Sequence, residues 1–187
     1  MNNKLLELNE FMENINPNPW DSIPDIDLYI DQVLDYMKRQ HPGLNLNESL
    51  TSSMVNNYAK QGLLPRAKGK KYSKEHISCL TIICLLKQII SVSDTKTILK
   101  NTLIDDDYEF LYKNYIELFQ SEADKIRSFI SDAISSKTTD TINDLSNDES
   151  SKTYTVILQL AINSYLYKLA CQYLINSLAK GDEKNEK

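Results

Sequence analysis

The side chains best suited to binding chemistry crowd into one stretch. Ser52, Ser53, Asn56, Asn57, Tyr58 and Lys60 come first, and Arg66, Lys68, Lys70 and Lys71 follow shortly after. These types bind rather than make or break bonds. An Asn carboxamide matches the two-point edge of adenine, Ser and Tyr hydroxyls reach phosphate oxygens, and Lys and Arg neutralise backbone phosphates. The charge pattern supports this. Residues 51–90 hold seven bases against the single acid Glu75, a local +6 in a chain whose formal charge is −5. Residues 1–50 carry −6 and residues 105–150 carry −8. Nucleic-acid affinity depends on charge at the contact surface, so the local value is the relevant one.

Catalysis has little to stand on. The two histidines, His41 and His76, are far apart in sequence, and no nucleophile elbow, phosphate-binding loop or dinucleotide glycine pattern occurs. Cys79 and Cys84 are five apart with no Cys-x-x-Cys, so neither they nor His76 predict a metal site. The acidic stretch 140–150 lacks the central glycine and spacing of a calcium loop. A non-enzyme with no cofactor and no metal is expected.

An all-α fold must position the binding residues, because Gly and Pro are scarce and apolar residues recur at helical spacing. Thr51 predicts an N-cap for a helix over about 52–61, with Gly62 as the glycine that ends it. Arg66–Tyr72 reads as a basic turn, and Ser73 caps a helix over about 74–89. Upstream, Asp25 or Asp27 caps a helix through about Arg39, stopped by His41-Pro42-Gly43 and followed by an Asn-rich connection. Ser93 caps a short helix to about Asn101. Tyr72 reads as core.

Asp105–Asp107 open a long helix to about Ser135. Within it Tyr112, Ile116, Phe119, Ala123, Ile126, Ile130 and Ala133 form a seam of alternating four- and three-residue steps. Residues 136–150 read as a polar loop. Residues 152–179 form a last helix so apolar that several sides need covering. The expected division is an N-terminal helix and Pro-rich arm (1–19), a helix-turn-helix domain (20–102), a C-terminal helical hairpin or bundle for dimerisation or sensing (103–180) and a disordered tail (181–187).

The first sixteen residues hold no apolar run of the secretory kind, and Gln159, Asn163, Lys168 and Gln172 interrupt the stretch 154–179. A cytoplasmic chain without a membrane span is expected, its three cysteines reduced. Tyr108, Tyr112, Tyr115, Tyr165 and Tyr167 can line a small-molecule effector pocket, although core packing is the role their spacing favours.

Two resemblances rest on these residues. Tyr58, Gly62-Leu63-Leu64, Lys71 and Tyr72-Ser73 resemble the MerR-type winged helix-turn-helix, with a minimal wing at Arg66–Lys71. Asn56 and Asn57 stand where that type carries Arg and Tyr. The chain from Trp20 through Leu99 also resembles the bacterial family of domain of unknown function 1836 (DUF1836). The pieces that carry it are Ile23-Pro24, Leu28-Tyr29-Ile30-Asp31-Gln32-Val33, Leu50-Thr51, Met54–Lys60 and Lys70–Ile77. The first resemblance implies a transcriptional regulator that binds double-stranded DNA as a homodimer, held together through its C-terminal helices. The alternative is a protein–protein interaction adaptor on the same helical scaffold.

Overall fold

A computed structural model of the chain describes residues 3–40, 50–103, 106–135 and 149–185. The expected helix stop at His41–Gly43, the connection 44–49 and the loop 136–148 lie outside these residues. Among the described residues the chain is mostly helical. Seven α-helices run in the order α1 (Asn3–Glu13), α2 (Ile30–Gln40), α3 (Ser52–Lys60), α4 (Lys74–Leu86), α5 (Val92–Thr102), α6 (Tyr108–Ile134) and α7 (Glu149–Asn185). Two short strands, β1 (Leu28–Tyr29) and β2 (Lys71–Tyr72), pair antiparallel, with Leu28 opposite Tyr72 and Tyr29 opposite Lys71.

The chain divides into two compact units. One comprises residues 15–120, the other residues 1–14 with 121–187. The division falls within α6 and not at residue 102, because the first turns of α6 belong to the core of unit 15–120. Tyr112 and Ile116, two members of the expected seam, are buried there beside Trp20, Ile23, Val33, Met37 and Leu80. Farther along the same helix, Ala123 and Ile130 are buried positions of the second unit, along with Leu5, Met12, Val156 and Ile175.

Within unit 15–120, α4 is the central element. His76 through Cys84 are all buried, so this helix has no solvent face over two turns. The thiols of Cys79 and Cys84 lie in this interior, and burial pushes them up to about 12 and about 11. A buried polar network ties α2, α4 and α6 together. Gln40 Nε2 donates to Thr81 Oγ1 at 3.0 Å and to the Tyr112 hydroxyl at 3.0 Å, and that hydroxyl donates to the Asn18 carbonyl at 2.7 Å.

Several boundaries differ from expectation. Neither Asp25 nor Asp27 caps α2, because Leu28–Tyr29 is drawn into a strand against Lys71–Tyr72 and the helix begins at Ile30. The Tyr29 N–H is met instead by Gln32 Oε1 at 2.9 Å, and Asp25 pairs with Lys74 Nζ at 2.7 Å. Ser91, not Ser93, caps α5, accepting from the Asp94 N–H at 3.1 Å. The backbone of α7 is helical through Asn185, past the point where a disordered tail was expected. No helix among the described residues is long and apolar enough to cross a membrane.

Candidate nucleic-acid interface

The candidate interface consists of α3 and the turn that follows it. Thr51 holds the start of α3 as expected, its side chain accepting from the Met54 N–H at 3.2 Å. The end is a Schellman motif. The Gly62 N–H reaches the Ala59 carbonyl at 3.1 Å and the Leu63 N–H reaches the Tyr58 carbonyl at 3.0 Å, with Gly62 at φ 75°. Val55, Tyr58, Leu63 and Leu64 then anchor the helix in the core.

That anchoring sorts the candidate residues. Ser52, Ser53, Asn56, Asn57 and Lys60 are all exposed, and their spacing puts them on one side of α3. Tyr58 points the other way and is only 3 % exposed, so it offers little surface to a partner, unlike the other expected contact residues of α3. Packing at Tyr58 decides this, because the ring completes the apolar side that Val55 begins. Asn57 is partly engaged, since its Oδ1 accepts from Gln61 Nε2 at 3.2 Å.

Arg66, Lys68, Lys70 and Lys71 are exposed as well. The Lys71 N–H closes a tight turn onto the Lys68 carbonyl at 3.0 Å. Gly69 and Lys70 both have positive φ, 59° and 61°. Two central residues of that hand are the signature of a type I′ hairpin turn, whose twist matches paired strands. Lys71 also stacks its ammonium over the Tyr29 ring, 5.4 Å from the centroid, so β1 braces the turn. The sequence reading missed β1. The alternation of buried Leu28 and exposed Tyr29 is too short to register as a strand, and Ile30 onward already shows helical spacing.

Ser73 begins α4 with an unusual partner at the third helical position. His76 Nδ1 accepts the Ser73 N–H at 3.1 Å, the place usually filled by Glu or Gln. The Ser73 hydroxyl meets the Glu75 carboxylate, and that hydrogen bond is the main cause holding Glu75 below its usual range. His76 is buried, and loss of solvent lowers its pKa against the opposing pull of the Pro65 carbonyl, Glu75 and Asp27. A cleft of about 490 Å³ opens beside it, bordered by Arg66, Lys68 and Lys71 and by the acids Asp27, Glu75 and Asp106.

The local charge of +6 overstates the free basic surface. Lys74 is spent on Asp25 and on the face of Trp20, 4.9 Å from its centroid, and the Lys87 amine is enclosed. Lys60, Arg66, Lys68, Lys70 and Lys71 remain as exposed cations. Among the described residues no group of three or more His, Cys, Asp or Glu is placed to hold a metal ion. Of the five tyrosines considered for a ligand pocket, Tyr112 is fully buried, Tyr108 and Tyr115 are half-buried, and Tyr165 and Tyr167 are exposed on α7.

A family model for a domain of unknown function, DUF1836, matches residues 18–120. The chain belongs to the DUF1836 family. The match covers nearly the whole of unit 15–120, so α3, the Lys68–Lys71 turn and the His76 cap all lie inside the DUF1836 domain. No curated protein and no solved structure matches the chain.

Proposed function

We propose that the DUF1836 domain of this chain is a double-stranded DNA-binding module of winged helix-turn-helix type, related to the MerR kind, and that the protein is a transcriptional regulator and not an enzyme. One observation carries the reading. A helix capped at both ends exposes Ser, Asn and Lys along one side, and the next element in the chain is a tight turn that exposes three lysines. Helix 2 of such a module reads base edges in the major groove while the wing grips the neighbouring backbone. Here Asn56 is the foremost base reader, with Ser52 and Ser53 toward the helix N-terminus. Lys60, Arg66, Lys68, Lys70 and Lys71 are the phosphate contacts. The antiparallel pairing of β1 with β2 gives the wing a rigid root on the strand that precedes α2, the first helix of the pair.

Duplex fragments selected from random DNA, followed by titration at increasing salt, test the proposal. Binding is expected to weaken steeply with salt. Lys68→Gln with Lys71→Gln lowers affinity for all sequences alike and flattens the salt slope by about 2. Asn56→Ala instead relaxes the preference at one base position. A chain that binds no duplex even at low salt is not a DNA-binding regulator, and the adaptor reading replaces it.

A further inference from the structure

A second cavity of unit 15–120, about 330 Å³ in volume, lies where the Gly62–Leu64 end of α3 meets α5 and the start of α6. The enclosed part of its lining is apolar. Leu63, Leu64, Cys79, Leu99, Leu103 and Leu111 supply it, and the Cys79 thiol, kept protonated by burial, counts as part of that wall. The exposed part is charged. Lys96 and Lys100 border the cavity from α5, and Asp106 stands on the same edge beside half-buried Tyr108. Such a volume suits a ligand of on the order of ten non-hydrogen atoms.

The two lysines set the chemistry of that ligand. They stand four residues apart on the side of α5 that also carries Leu99. Like charges at this spacing repel one another. Neither lysine is in an ion pair among the described residues. The Lys96 ammonium lies 4.0 Å from the point a Cβ would occupy on Gly62, where the C-terminal end of α3 favours a cation. Two cations and the single acid Asp106 leave the edge at +1, which matches a monoanion better than a phosphate dianion. We infer that this cavity binds a medium-chain aliphatic carboxylate, with its chain among Leu63, Leu99, Leu103 and Leu111 and its carboxylate between Lys96 and Lys100.

Other readings leave part of the lining unused. A solvated basic helix face needs no apolar cavity beneath it. A nucleic-acid backbone would engage the lysines and leave the leucines empty. The cleft beside His76 interleaves three acids with three bases and has no leucine in its lining, so it does not select the same ligand. This inference is independent of DNA binding.

Titration of the full chain, labelled with nitrogen-15 at glycine, with sodium octanoate tests it. Octanoate is of the right size, and the four glycines of the chain give few signals to follow. Gly62 borders the cavity, whereas Gly69 lies in the Lys68–Lys71 turn and Gly181 on α7. The Gly62 signal is expected to shift saturably while those of Gly69 and Gly181 stay in place. Octanol, the uncharged match, binds about fivefold more weakly, and hexanoate, shorter by two methylenes, about tenfold more weakly. Lys96→Gln with Lys100→Gln weakens octanoate about fivefold and leaves octanol binding unchanged. Both side chains are exposed, so the melting temperature of that variant stays near wild type. No saturable shift at Gly62, octanol binding as tightly as octanoate, or a double variant with wild-type affinity for octanoate would overturn the site. An equal shift at Gly181 would overturn it as well, because it would mark adsorption along the exposed side chains of α7.

Discussion

Gln40 and Tyr112 meet inside unit 15–120, the Gln40 amide donating to the Tyr112 hydroxyl at 3.0 Å although the residues are 72 positions apart. Gln40 is 3 % exposed and Tyr112 is fully buried. Their bond joins the last residue of α2 to the first turns of α6, and Thr81 of α4 accepts the other amide hydrogen at 3.0 Å. The Gln40 Nε2 and the Tyr112 hydroxyl both find partners in this interior, while Gln40 Oε1 is enclosed without one. These bonds fix the end of α2 relative to α4 and α6.

Tyr112→Phe is therefore expected to destabilise unit 15–120 although it removes only one oxygen. The change deprives both the Gln40 amide and the Asn18 carbonyl of a partner while leaving them enclosed, at a cost of about 1–3 kcal/mol. Urea denaturation followed by circular dichroism measures this. A variant as stable as wild type would show that water replaces the lost hydroxyl.

The His76 cap makes stability depend on pH in a defined direction. The folded pKa lies below the ordinary 6.5, so between the two values the unfolded chain binds the proton more readily. The contribution of His76 is complete above about 6.5 and is lost as pH falls below it through the folded value. Glu75, also lowered, acts with the same sign below its ordinary 4.5. The melting temperature is expected to fall from neutral pH toward pH 5. His76→Gln keeps an acceptor for the Ser73 N–H but cannot titrate, so its melting temperature should vary less over that range. An unchanged pH profile in that variant would assign the dependence to another group.

Gly62 is required by its backbone and not by lack of space. A Cβ built there comes no nearer than 4.0 Å to the Lys96 ammonium, yet φ is 75°. Gly62→Ala should destabilise by about 1 kcal/mol through the left-handed conformation alone, and Gly62→Asn by less. Thermal melts of the two variants check the order. Because the same turn aims the chain from α3 into the Lys68–Lys71 turn, Gly62→Ala should also weaken the proposed DNA binding.

The local punctuation of the module was legible in the sequence because it depends on neighbours. Thr51 caps α3 through a residue three positions on, Gly62 ends it through groups within five residues, and Ser73 starts α4. The family resemblance was legible for the same reason, being carried by short runs such as Leu28–Val33 and Lys70–Ile77. Long-range pairing was not. Strand β1 exists only because Lys71–Tyr72 returns to lie beside it, and two residues are too few to announce a strand. Tyr58 looked available as a contact because a helix of nine residues does not by itself reveal which of its sides meets the core.

Sequence alone determined the helical class, the caps at Thr51, Gly62 and Ser73, the concentration of basic residues between Lys60 and Lys71 and the family of residues 18–120. Tertiary structure decided which cations of residues 51–90 stay free, by pairing Lys74 with Asp25 and enclosing the Lys87 amine. It also decided that α6 is shared between two compact units and that the side chains of α7 from residue 161 to residue 170 are exposed. The reason is one of range. Caps and turns are closed by hydrogen bonds within a few residues, whereas the burial of a side chain depends on segments the fold brings from far along the chain.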